Sequence, residues 1–227
     1  FCIINGAVGF MESISTVPVA LLLALLCCVL PQGVTLLAAA VLTVVNLYVL
    51  SMEVALTAVL IFLMVFFLYF RFSPKDGLLF ILTPICFAFG IPYILPIGAG
   101  LLRKIYSVTA VACGTIVYFF LNGIYENVTA LSATTVGTGA VEATKMTITV
   151  GQLLSNKEMY VAVAVFGFAT IAVHVVHKLN IDHAWKVSIL AGTLIQIAGF
   201  LAGYLVFDIK GRLVGLIIGS IISGILA

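Results

Sequence analysis

All three histidines of the chain fall within ten residues. His174 and His177 stand at i, i+3, on one face of any helix, and His183 follows beside Asp182. Side chains three apart on a helix are neighbours, and imidazole both ligates metals and titrates near neutral pH. The set therefore offers metal binding or proton handling, and its plainer role is anchoring at a membrane interface. The metalloprotease pattern, a Glu between two His at i, i+4, is absent.

Acidic residues are informative by position. Ion-coupled pumps keep carboxylates inside the bilayer, where the cost of burial makes them functional by default. Here Glu12, Glu53, Asp76, Glu126, Glu142, Glu158, Asp182 and Asp208 all fall at or near the ends of apolar runs. Asn46, Gln196 and hydroxyl residues are what lies deep. That placement disfavours proton- or sodium-driven transport. With no membrane-buried aspartate pair and no Glu–His motif, no enzymatic activity and no cofactor are expected.

A different chemistry belongs to the segment from Gly77 to Leu102, which carries Pro84, Pro92 and Pro96 together with Gly90, Gly98 and Gly100. Proline removes a backbone donor and clashes with the preceding turn. The uninterrupted pieces, about 78–90 and 93–102, are roughly 20 Å and 15 Å long, and neither alone crosses a hydrocarbon core of about 30 Å. Half-helices leave backbone groups unpaired at membrane depth, which is tolerated where they are buried in protein or line a wet cavity. The segment is thus the candidate pore or substrate-binding element, read as a re-entrant hairpin bent at Phe89-Gly90-Ile91-Pro92 or as one kinked span.

Small residues form a further pattern. Gly211, Gly215, Gly219 and Ser223 repeat at i+4 on the last apolar stretch, and Gly199 and Gly203 do so on the one before. Faces without side chains allow close backbone approach, so these residues are expected to pack helices of this chain or to meet another subunit.

The elements that must hold these groups follow from composition. Of 227 residues 64% are apolar and 8% charged, against roughly 25% charged in soluble domains. A formal charge of +2 is too thin for a nucleic-acid binder. Five cysteines, all in apolar stretches and without CxxC spacing, argue against a disulfide framework or a zinc ribbon. The expected fold is all-α: a polytopic transmembrane helix bundle with six spans plus the proline-broken segment, forming a single integral membrane domain over 1–227.

Apolar runs cover about 14–30, 33–50, 54–71, 105–122, 158–177 and 187–207, and a last one starts near Leu213. The break between the second and third is expected at Ser51-Met52-Glu53. Ser73 is expected to cap a helix begun by Pro74, and Ser155 to open a capping box with Glu158. Tyr106 and the Tyr118-Phe119-Phe120 cluster read as interfacial aromatics near the ends of their span. Between spans lies a Thr-rich polar loop, about 123–157, containing a formal sequon at Asn127 and a strand-like alternation over Lys145–Val150. With the hairpin, Arg71, Lys75, Arg103, Lys104, Lys178 and Lys186 share one side, expected to be cytoplasmic, against Lys145, Lys157, Lys210 and Arg212 on the other, and a spanning segment also splits the basic residues six to four.

The chain begins at Phe1 and stops at Ala227 within an apolar run, so it reads as part of a longer protein. Its expected place is the bacterial cytoplasmic membrane, with the lipid bilayer and other membrane subunits or further copies of itself as partners. Two functions fit: a permease or channel-type component for a small, weakly charged solute, or a membrane-embedded scaffold or anchor subunit of a larger assembly.

Overall fold

The computed structural model describes residues 31–74, 76–126, 140–179, 183–207, 219–220 and 222–224, with backbone alone at 32, 49, 50, 140–146 and 148. Every element among these residues is α-helical: α1 Gln32–Leu50, α2 Met52–Phe72, α3 Gly77–Ala88, α4 Ile94–Leu102, α5 Ser107–Glu126, α6 Ala140–Ser155, α7 Lys157–His177 and α8 Ala184–Phe207. Residues 219–220 and 222–224 are also helical. The run at 14–30, the sequon at 127–129, Lys75, Asp182, the turn at 208–212, Gly211 and Gly215 lie outside the described residues.

Four helices, α2, α5, α7 and α8, are long and apolar enough to cross a membrane. They coincide with the expected runs at 54–71, 105–122, 158–177 and 187–207, while the runs at 14–30 and from Leu213 lie wholly or largely outside the described residues. Helix α1, Gln32–Leu50, has 19 residues and is apolar over Gly33–Tyr48, where its side chains are described. The chain is an apolar, multi-pass helical protein of the kind that resides in membranes.

Helix boundaries follow local hydrogen bonding. Ser51 is extended (φ −165°, ψ 134°) and separates α1 from α2. Its hydroxyl donates to Glu53 Oε2 at 3.1 Å, which places that carboxylate in the first turn of α2, at the positive end of the helix dipole. Five deep threonine hydroxyls are satisfied within their own helices. Thr43, Thr57, Thr83, Thr115 and Thr170 each donate to the carbonyl four residues earlier, so they occupy an apolar interior without an open donor.

Several local expectations are corrected. Residues 145–150 belong to α6 and are not a strand, and the polar loop expected over 123–157 is helical from Ala140 to Ser155. β-Branched residues cost a helix only tenths of a kcal/mol each, whereas a strand without a partner leaves its backbone groups unpaired. The cap of α7 is Asn156, whose side chain accepts from Met159 N, and not Ser155. Helix α3 begins at Gly77 behind Asp76. Ser73 does not cap it, because its hydroxyl is engaged by Tyr106 O and Thr109 Oγ1. Helix α5 continues to Glu126, so Tyr118 and Phe120 lie inside the helix and not near its end, with Phe120 buried.

The chain forms two compact units, 1–67 with 119–155 and 68–118 with 156–227. In the first, Leu36, Leu47, Val54, Ala58 and Ile124 are buried, and Phe62 meets Phe120 edge-on at 6.4 Å. In the second, α7 pairs with α8, and α4 packs on both. Ile97, Leu101 and Val173 form a core cluster there, with Ile189 against it.

Candidate functional site

The proline-broken segment lies wholly in the second unit. Its first half, α3, tolerates Pro84 inside the helix. It then ends at a turn whose hydrogen bonds explain the break. Gly90 has φ +74°, Gly90 N donates to Phe87 O at 3.0 Å, and Ile91 N donates to Cys86 O at 2.9 Å. This is a Schellman end, in which a left-handed glycine satisfies the last carbonyls of a helix. A Cβ on Gly90 would meet nothing within 4 Å, so backbone conformation and not crowding demands glycine here. Pro92 follows in the turn. Pro96 lies in the first turn of α4, where its missing N–H has no partner to lose.

The two ends of the segment meet. Asp76, just before α3, forms an ion pair with Arg103, just after α4, at 3.6 Å. Beside them Ser73 donates to Tyr106 O and pairs with Thr109 Oγ1 at 2.7 Å, and Tyr69 donates to Pro74 O at 3.1 Å. A continuous helix of this length would hold its ends roughly 39 Å apart. The chain therefore doubles back on itself between Gly77 and Leu102.

The returning arm, α4, is sunk into the unit. Leu95, Pro96, Ile97, Ala99, Gly100 and Leu101 are all buried. A Cβ on Gly100 would lie 2.7 Å from Val173 Cβ and 2.8 Å from Thr170 O, so α4 rests directly on the backbone of α7. Gly98 faces open space instead. On the outgoing arm, a Cβ on Gly114 of α5 would lie 2.6 Å from Thr83 Cβ.

At the bend, Tyr93 meets Phe166 at 6.2 Å and Phe200 at 5.6 Å, and those two rings meet each other at 5.6 Å, all edge-on. Gln196 Nε2 donates to Tyr93 O at 3.0 Å. Phe166 and Gln196 are close to the midpoints of α7 and α8. The bend thus stands halfway along two helices of membrane-crossing length.

Of the residues singled out by spacing, Pro84, Gly90, Pro92, Pro96, Gly98 and Gly100 all belong to this doubled-back segment. His174 approaches its base, with Nδ1 3.3 Å from Gly100 O. His177 lies edge-on to Trp185 at 5.6 Å, and His183 has φ +66°. Among the described residues no group of three or more His, Cys, Asp or Glu is disposed to hold a metal ion. Gly199 and Gly203 face this chain's own Val165 and Val161, and Gly219 faces the Tyr93 ring. Ser223 is buried.

Spacing alone did not single out Gln196, Tyr93, Phe166 or the Asp76–Arg103 pair. A lone amide in the middle of an otherwise apolar run was the available signal for Gln196. No family model, no curated protein and no solved structure matches this chain.

Proposed function

We propose that the chain is an integral membrane permease or channel-type component for a small, weakly charged or uncharged solute, built on a re-entrant hairpin over residues 77–102. The observation that carries this reading is the bend at Phe89–Tyr93, halfway along α7 and α8, in a segment whose two ends are joined by Asp76 and Arg103. The arms, 12 and 9 residues long, measure about 18 Å and 14 Å, each near half a bilayer core. Interrupted backbone at that depth belongs in protein or beside a polar path.

Arg71, Arg103, Lys104, Lys178 and Lys186, all exposed, lie at the ends of helices around the hairpin base. An excess of basic residues marks the cytoplasmic side, so the hairpin enters from there. The scaffold alternative drew on the glycine faces, and Gly199, Gly203 and Gly219 are occupied by residues of the same chain.

The test combines topology with flux. In sealed vesicles, after replacement of the native cysteines, Phe72→Cys and Lys104→Cys are expected to react with an impermeant maleimide from the same side. Labelling from opposite sides overturns the hairpin. Proteoliposomes are expected to equilibrate a small solute faster than empty liposomes, and thiol modification of Phe89→Cys to slow that flux. No acceleration for any member of a broad solute panel overturns the permease.

A further inference from the structure

Interiors seldom leave a polar atom without a partner, because each such atom costs on the order of 1–3 kcal/mol. Gln196 Oε1, Ser220 Oγ and Ser223 Oγ are such atoms, on three residues that are all 0% exposed. Gln196 stands at the hairpin bend, and the residues flanking the two serines pack beside it. Gln196 reaches Tyr93 O through its amide nitrogen. A Cβ on Gly219 would lie 2.6 Å from Tyr93 Cε2, and one on Gly224 would lie 2.6 Å from Thr193 Cγ2. Thr193 is one helical turn before Gln196. Residues 219–220 and 222–224, which carry the two serines, therefore lie against both the bend and α8 near Gln196.

The amide orientation is determined by its neighbour. Turning the group over would set Oε1 against the Tyr93 carbonyl, oxygen to oxygen, and lose the 3.0 Å bond. Oε1 is thus held as an open acceptor, and the two serine hydroxyls are free to donate or accept. Among the described residues no Asp, Glu, Lys, Arg or His joins them. The acidic and basic side chains described in this unit include Asp76, Arg103 and His174 at the hairpin base and Lys157 and Glu158 at the opposite helix ends. A charged ligand would meet no counter-charge at the bend and would bear its full desolvation cost.

We infer that Gln196, Ser220 and Ser223 form the recognition site of the hairpin bend, and that it takes a small uncharged solute bearing O–H or N–H donors, of the polyol or amide class. This rests on the permease reading for its transport role but not for binding, and the two are separable. The chain has three glutamines, Gln32, Gln152 and Gln196, so carbon-13 labelling of the glutamine side-chain carbonyl gives three resonances in solid-state NMR of proteoliposomes. Gln196→Leu identifies one of them by its disappearance.

Glycerol and urea are the probes, with potassium chloride as the charged control. The Gln196 resonance is expected to move with glycerol or urea and to stay put with potassium chloride. Flux of the same solute is expected to fall by about tenfold in Gln196→Leu, the worth of about one hydrogen bond. It is also expected to fall in Ser220→Ala/Ser223→Ala, which retains the Tyr93 contact and guards against misfolding of the first variant. A moving resonance without any flux upholds the site and overturns the permease. Flux with an unmoved resonance overturns the site, as does a resonance that answers to potassium alone or to neither probe, the last marking a site for water only.

Discussion

The base and the bend of the hairpin are both polar, and they are polar in opposite ways. At the base, Ser73, Thr109, Asp76, Arg103 and Tyr69 all have partners within the chain. At the bend, no acidic or basic side chain stands among the described residues, and three side-chain oxygens are unmatched. A polar group whose bonds are complete holds structure together. One left open in an apolar interior costs stability, and retaining it makes sense where something outside the chain completes it. The base is a clasp, and the bend is where recognition belongs.

The comparison is broken most forcefully through the arm that joins the two. Gly100→Leu forces a side chain into Val173 and the backbone of α7, and overpacking of this kind costs about 1–3 kcal/mol. Thermal unfolding in detergent is expected to show a clear loss of stability, and an unchanged Tm would mean that α4 is not seated on α7.

A sharper contrast comes from making one substitution at both places. Ser73→Ala removes bonds to Tyr106 O and Thr109 and is expected to cost about 1 kcal/mol. Ser223→Ala removes an oxygen that bonds nothing, so stability is expected to hold or rise by a few tenths of a kcal/mol. Denaturation of the two variants in parallel decides it, and equal losses would erase the distinction between clasp and site.

The smallest effect is expected at the ion pair. Arg103 is 43% exposed on its side chain, so solvent screening limits its coupling to Asp76 to less than about 1 kcal/mol. A double-mutant cycle with Asp76→Asn and Arg103→Gln is expected to find that coupling at low salt and to lose most of it at 1 M salt, where the Debye length is about 3 Å. A coupling indifferent to salt would place the pair in a drier setting than its exposure suggests.

What could be read from the sequence was local. The break at Phe89–Pro92 was legible because proline and glycine act on their own backbone, and the Ser51 break because a hydroxyl and a carboxylate stand two residues apart in an apolar run. Local patterns misled where distant partners decide. Ser73 looks like a cap until Tyr106, 33 residues on, engages its hydroxyl. The alternating Thr residues of α6 suit a strand as well as a helix, and periodicity cannot choose between them. Gln196 was visible as a deep amide, but its partner Tyr93 is 103 residues earlier. Nothing in the spacing linked the two.

That separation has a bearing on how the protein is made. The hairpin's seat is built from α7 and α8, and the bonds that hold it there span 74 residues from Gly100 to His174 and 103 from Tyr93 to Gln196. At about 5–20 residues per second of synthesis, the hairpin leaves the ribosome several seconds before its seat exists. Through that interval the returning arm lacks the two helices it packs on. The packing of the hairpin is therefore completed only once α8 has been made.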